Sequence, residues 1–132
     1  MPGKLAFVGF GEINTERAVI ERKCAQAVGA IESLGYSVFV AGPVNDEPGY
    51  AQADAAVAAL RAREFDALVV CLAGWIPTHA VIRAIDPFRH IPMLLWGLCG
   101  WHEGDRLVST ADQAGSAALR YACRSWDTGL PT

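Results

Sequence analysis

Asp66-Ala-Leu-Val-Val-Cys-Leu-Ala-Gly-Trp-Ile-Pro-Thr-His79 is the stretch that decides the fold. Ala67–Leu72 is apolar without polar alternation, the pattern of a strand covered on both faces, as the central strands of parallel sheets are. The run breaks at Gly74, and Thr78 stands where an N-cap is wanted, ahead of Ala80-Val-Ile-Arg-Ala-Ile85. A strand that feeds a helix through so short a turn makes Gly74–His79 the loop at the carboxyl end of a parallel strand. In open α/β sheets, ligands bind along that end.

Outward from this unit the same alternation recurs. Lys4–Phe10 reads as a first strand and Gly11–Asn14 as its turn. A helix from Thr15 to Leu34 follows, with Ile20, Cys24, Ala27, Val28, Ile31 and Leu34 recurring at three- and four-residue spacing. Gly35 is placed to stop it, and Tyr36–Ala41 is a second strand closed by Gly42-Pro43. Asp46 or Glu47 with Pro48 opens a helix from Gly49 to about Arg63, whose inward residues are Ala53, Ala56, Val57 and Leu60. The helix after the central strand ends at Asp86-Pro87, because proline disfavours helical angles in the residue before it. His90–Leu98 is a fourth strand, Cys99–Asp105 a polar loop, and Thr110 to Ser125 a last helix.

Strands alternating with helices predict right-handed crossovers and a parallel sheet of order 2-1-3-4 in a three-layer αβα sandwich. The tail, Trp126–Thr132, reads as the approach to a fifth strand that does not arrive. The expectation is one domain over residues 1–132, cut before its sheet is complete.

Composition narrows the function classes. The chain is 52% hydrophobic and 19% charged, which excludes disorder, and no apolar stretch approaches the ~20 residues of a membrane span. Met1-Pro-Gly-Lys4 runs directly into a strand and lacks a signal-peptide core, so a soluble, cytoplasmic protein is expected. A net charge of −3 with interspersed signs leaves no basic stripe for nucleic acid. Cys24, Cys71, Cys99 and Cys123 form no Cys-x-x-Cys pair and read as reduced core thiols rather than a disulfide or zinc framework.

The ligands that such sheets usually hold fit poorly. Gly9-Phe-Gly11-Glu-Ile-Asn14 has Asn14 where a dinucleotide loop has its third glycine, and the second strand ends without an acid for a ribose. A flavin phosphate loop would need more hydroxyls than Thr15 offers. A phosphoacceptor domain would need an aspartate where Leu72-Ala73-Gly74 stands. Cys71 and Cys99 lack a local base for nucleophilic work. His79, His102 and Glu103 have no recognised metal-ligand spacing. What remains is an aromatic-rich carboxyl edge: Trp75 after the third strand, Trp96 near the end of the fourth, either core or pocket, and Trp101 beyond it. Indole rings suit the C–H face and hydroxyl rim of a sugar.

Three stretches in order, Gly9-Phe-Gly-Glu with Thr15-Glu-Arg17, Leu72-Ala-Gly-Trp75-Ile-Pro-Thr-His79, and Leu94-Leu-Trp-Gly97, resemble the first domain of the L-fucose and L-arabinose isomerase superfamily. The resemblance implies a flavodoxin-like domain that closes over the active site of an adjacent subunit in a homo-oligomer. It implies aldose–ketose interconversion through an ene-diol held by a divalent cation, usually manganese, with ligands on later domains that this sequence does not contain. This chain alone would then not be catalytic and would hold no cofactor of its own. Carried across, Arg17 and Trp75 are the expected sugar-lining residues, with His79 a third. Arg17 also sits at the helix end where the dipole disfavours a cation, which is consistent with a role beyond the helix. The alternative is a stand-alone small-ligand or protein-binding module of the same fold.

Overall fold

The third-strand stretch does form the centre of the sheet. In the computed structural model, which describes residues 3–98 and 101–108, β1 (Lys4–Phe10), β2 (Ser37–Val44), β3 (Ala67–Leu72) and β4 (Met93–Gly97) form one parallel sheet in the order β2-β1-β3-β4. β1 and β3 lie inside, and their residues are buried on both faces, which is why their sequences do not alternate. The class is an α/β sandwich of flavodoxin-like topology, as the alternation predicts.

The two faces carry separate cores. α1 (Arg17–Glu32) lays Ile20, Cys24, Ala27 and Ile31 on Phe7, Val69 and Cys71. α2 (Ala51–Arg61) and α3 (Thr78–Ile85) cover the opposite face, where Ala53, Ala56, Leu60, Ala80, Val81, Ala84 and Ile85 pack on Val8, Phe10, Leu68, Val70 and Leu72. That division follows from crossovers of one hand running in opposite directions along the sheet, β1 to β2 through α1 and β2 back past β1 to β3 through α2. Trp96 is half-buried: it packs against the α1 core and also lines an open hollow of about 350 Å³ with Ile31, Leu34 and Leu94.

Several boundaries differ from the sequence reading. α1 starts at Arg17 rather than Thr15, since Gly11–Glu16 is spent on a turn in which Thr15 N–H donates to Glu12 O at 3.1 Å. It ends at Glu32, and Gly35 takes its left-handed φ of +95° beyond the cap at Ser33. β2 is not closed by Gly42-Pro43 but passes through it. The register moves from Val8↔Ala41 to Phe10↔Val44, so β2 carries one residue more than β1 there. Gly42 at φ +83° makes that bulge, and a Cβ on it would stand 3.1 Å from Gly9 O. α2 starts at Ala51, not Gly49, because Gly49 and Tyr50 both adopt left-handed angles, φ +91° and +59°. Pro77, not Thr78, is the N-cap of α3. The helix turns into a short 3₁₀ segment at Asp86–Phe88, and β4 is shorter at both ends than His90–Leu98.

The expected loop at 99–105 is in part a hairpin, β5 (Trp101–Glu103) against β6 (Arg106–Val108). Gly104 at φ +61° opens its two-residue turn, where a left-handed residue matches the strand twist. The expected last helix, the approach to a fifth strand, Cys99 and Cys123 lie outside the described residues. Among the described residues, no helix is long and apolar enough to cross a membrane.

Candidate functional site

The carboxyl ends of the strands collect the loops in which the sequence places its candidates. Trp75 belongs to the β3–α3 connection, and that loop is tightly fixed. Ala73 N–H donates to Phe10 O at 2.9 Å, Glu12 N–H donates to Trp75 O at 2.7 Å, and Ile76 is fully buried. A Cβ on Gly74 would lie 2.9 Å from Ile20 Cδ1, so the loop rests directly on α1. The indole of Trp75 is half-buried beside this anchor. The β1–α1 and β3–α3 connections are thereby joined through their backbones.

Arg17 is the first residue of α1 and is exposed. Its guanidinium donates to Glu21 Oε1 at 3.0 Å and reaches Gln52 Oε1 at 3.5 Å. Gln52 Oε1 also accepts from Asn45 N–H at 2.9 Å, so the first turn of α2, the β2–α2 loop and Arg17 share one polar cluster. Beside it Ile13 N–H donates to Asp46 Oδ1 at 2.8 Å. Arg17 borders a hollow of only about 40 Å³ together with Glu12, Thr15, Pro43 and Asn45. The Glu21 carboxylate one turn along offsets the poor fit of a cation to this helix end.

His79 stands in the first turn of α3. Its Nδ1 is 2.9 Å from the Tyr50 hydroxyl, and the two rings meet edge to face with centroids 5.6 Å apart. A donating phenol selects the tautomer with the proton on Nε2. The Arg83 guanidinium lies 4.7 Å from the centre of the Tyr50 ring and binds Asp54 through both carboxylate oxygens, at 2.9 and 3.1 Å. That bidentate bond holds the Asp54 carboxyl below its usual range and raises Arg83 further. Tyr50, His79, Ile82, Arg83, Asp86 and Pro87 line an open cleft of about 440 Å³, within the ~300–1,000 Å³ that small-molecule sites occupy.

The three candidates therefore share one edge without sharing one hollow. Arg17 and His79 are linked through the start of α2, where Gln52 meets the first and the N-cap residue Tyr50 meets the second. Trp75 is tied to the Arg17 side by the Glu12 main chain and lines neither of the two hollows described. Tyr50, Gln52, Asp54 and Arg83 were not foreseen. They lack a local motif, because each acquires its partner from an element distant in sequence.

Beneath the edge lies a group that periodicity could have revealed. Lys23, three residues after Ile20, falls on the inward stripe of α1; it is 7% exposed and donates to Ala73 O at 2.8 Å. Its neighbour Cys24 meets Cys71 across the same core. A hydrogen bond from the Cys71 thiol, helped by Lys23, holds Cys24 below the usual thiol range against the opposing effect of burial. The same bond and burial push Cys71 far up. Both are free thiols, as expected.

Among the described residues, no three His, Cys, Asp or Glu side chains stand close enough together to hold a metal ion. His102 and Glu103 are placed on β5 by their backbones alone. No protein-family model matches the chain, and no curated protein matches it in sequence.

Proposed function

We propose that this chain is the sugar-lining and oligomerisation domain of an aldose–ketose isomerase of the L-fucose/L-arabinose type, cytoplasmic and not catalytic by itself. The observation that carries the reading is the gathering of Arg17, Trp75 and His79, from segments far apart in sequence, on the carboxyl edge of one parallel sheet. Those residue types suit a polyol: an indole face for C–H groups, a guanidinium and an imidazole for hydroxyls. Their separate hollows fit a pocket that a neighbouring subunit of a homo-oligomer completes, with this domain as its lid. In such an assembly manganese would polarise the carbonyl and hydroxyl of the sugar. Its ligands would come from other domains, and no step is assigned to a cation in this chain.

The test uses the protein in the form its source cells make. Affinity-purified protein is assayed for aldose–ketose interconversion with manganese, alongside Trp75→Ala and Arg17→Ala. The expected result is interconversion whose KM rises in both variants. Full activity in both variants, or none with any pentose or hexose in the unaltered protein, would count against the reading and favour a stand-alone binding module.

A further inference from the structure

We propose that Lys23 is the positioning residue of the Trp75 loop, holding the indole in place through the Ala73 carbonyl; the inference rests on the sugar-lining reading of Trp75. Lys23 occupies a place where packing alone asks for a hydrocarbon. Its neighbours on the α1 stripe are Ile20, Cys24, Ala27 and Ile31, facing Phe7, Val69 and Cys71. A buried ammonium loses its hydration, and a well-packed apolar side chain of similar volume is commonly tolerated as well or better. The cation is therefore accounted for by what it binds rather than by the core it interrupts.

Among what it binds is the peptide at the hinge between sheet and loop. Ala73 follows the last residue of β3 and precedes Gly74-Trp75. Its N–H is fixed by Phe10 O at 2.9 Å and its C=O by Lys23 Nζ at 2.8 Å, so both polar groups of this residue are held. Gly74 then lies against Ile20, one turn before Lys23 on the same helix, and Trp75 O takes the Glu12 N–H. Lys23 thus ties α1 to the loop at the point where the chain leaves the sheet. A charge-assisted bond to a carbonyl is stronger and more directional than a contact between apolar groups. At 7% exposure Lys23 is held beneath the surface on the Ala73 carbonyl, so its effect on a sugar passes through the loop.

The test compares the unaltered chain with Lys23→Met and Lys23→Arg. Amide hydrogen exchange at Glu12, whose N–H bonds Trp75 O, should accelerate about tenfold or more in Lys23→Met, as expected for losing a hydrogen bond to a charged group. Exchange in the middle of β1 and β3 should stay unchanged, the melting temperature should not fall, and affinity for an aldose should drop severalfold. Lys23→Arg should restore part of both the protection and the affinity. Unchanged exchange at Glu12 in Lys23→Met would overturn the proposal whatever the sugar result. If the unaltered protein, in the assembled form its source cells make, binds no aldose, the sugar-lining reading fails while the exchange comparison still decides the role of Lys23. Should Lys23→Met not fold, the unaltered chain gives the answer. Lys23 ammonium protons that are slow to exchange and correlated with the Ala73 carbonyl support the proposal, and freely exchanging ones overturn it.

Discussion

Gly9 and Cys24 show how closely the α1 side is fitted. A Cβ on Gly9 would stand 2.3 Å from Cys24 Sγ, a separation that non-bonded atoms do not tolerate. Gly9 is also the register partner of Cys71, so the sulfur of Cys24 fills the gap left by the missing side chain and meets the second thiol there. Gly9→Ala should cost about 1–3 kcal/mol through overpacking. In a Cys24→Ala background the obstructing sulfur is gone, and the same change should cost much less. Chemical denaturation of the four proteins of this cycle measures the coupling; additive effects would mean that the two sites do not touch. At this scale the sequence was partly legible. The inward stripe of α1 includes Lys23 by spacing alone, but nothing local says that its ammonium reaches a carbonyl fifty positions away. Likewise Tyr50 reads as a helical residue until the left-handed angles of Gly49 and Tyr50 are known.

At the scale of elements, strong periodicity was legible and boundaries were not. β1 and β3 fall where continuous apolar runs place them, and α1 buries Ile20, Cys24, Ala27 and Ile31 of its expected stripe, whereas Leu34 lies past the helix end and is 75% exposed. The ends moved where backbone geometry overrides residue preference: β2 absorbs Gly42-Pro43 as a bulge, and two left-handed residues delay α2. The hairpin of β5 and β6 was hidden because three-residue strands are too short to show alternation, although Gly104-Asp105 between them is a two-residue turn signal. α2 and α3 are joined at their outer surface by Asp54 and Arg83. Because Arg83 lowers the folded-state pKa of Asp54, the pair stabilises the protein above the unfolded carboxylate pKa of ~3.9, and that contribution disappears as pH falls through the lower folded value. Asp54→Asn should therefore flatten the acid limb of the stability curve and leave the neutral-to-alkaline limb unchanged in shape. Melting temperatures of both proteins across that range check it; parallel acid limbs would show that the bond is absent in solution. Both side chains are about half exposed, so added salt should shrink the difference.

For the whole molecule, the fold is of the type that serves many chemistries, and function lives in what the strand ends present. Here they present Trp75 on a loop fixed at successive peptide groups, Arg17 in a polar cluster, and His79 beside Tyr50 at the open cleft. The separation between the Arg17 hollow and the His79 cleft was not legible in the sequence, since it depends on where α2 enters between them. The most direct measurement is a titration of the ¹⁵N-labelled protein, in the assembled form its source cells make, with an aldose and with the matching alditol, followed by two-dimensional NMR. A sugar-lining edge should give saturable shifts of the Trp75 indole N–H, assigned by Trp75→Phe, together with the Arg17 Nε–H and the backbone around His79. Shifts confined to the Trp96 face of the sheet, or no saturable shift with either ligand, would contradict a sugar-lining role for this edge.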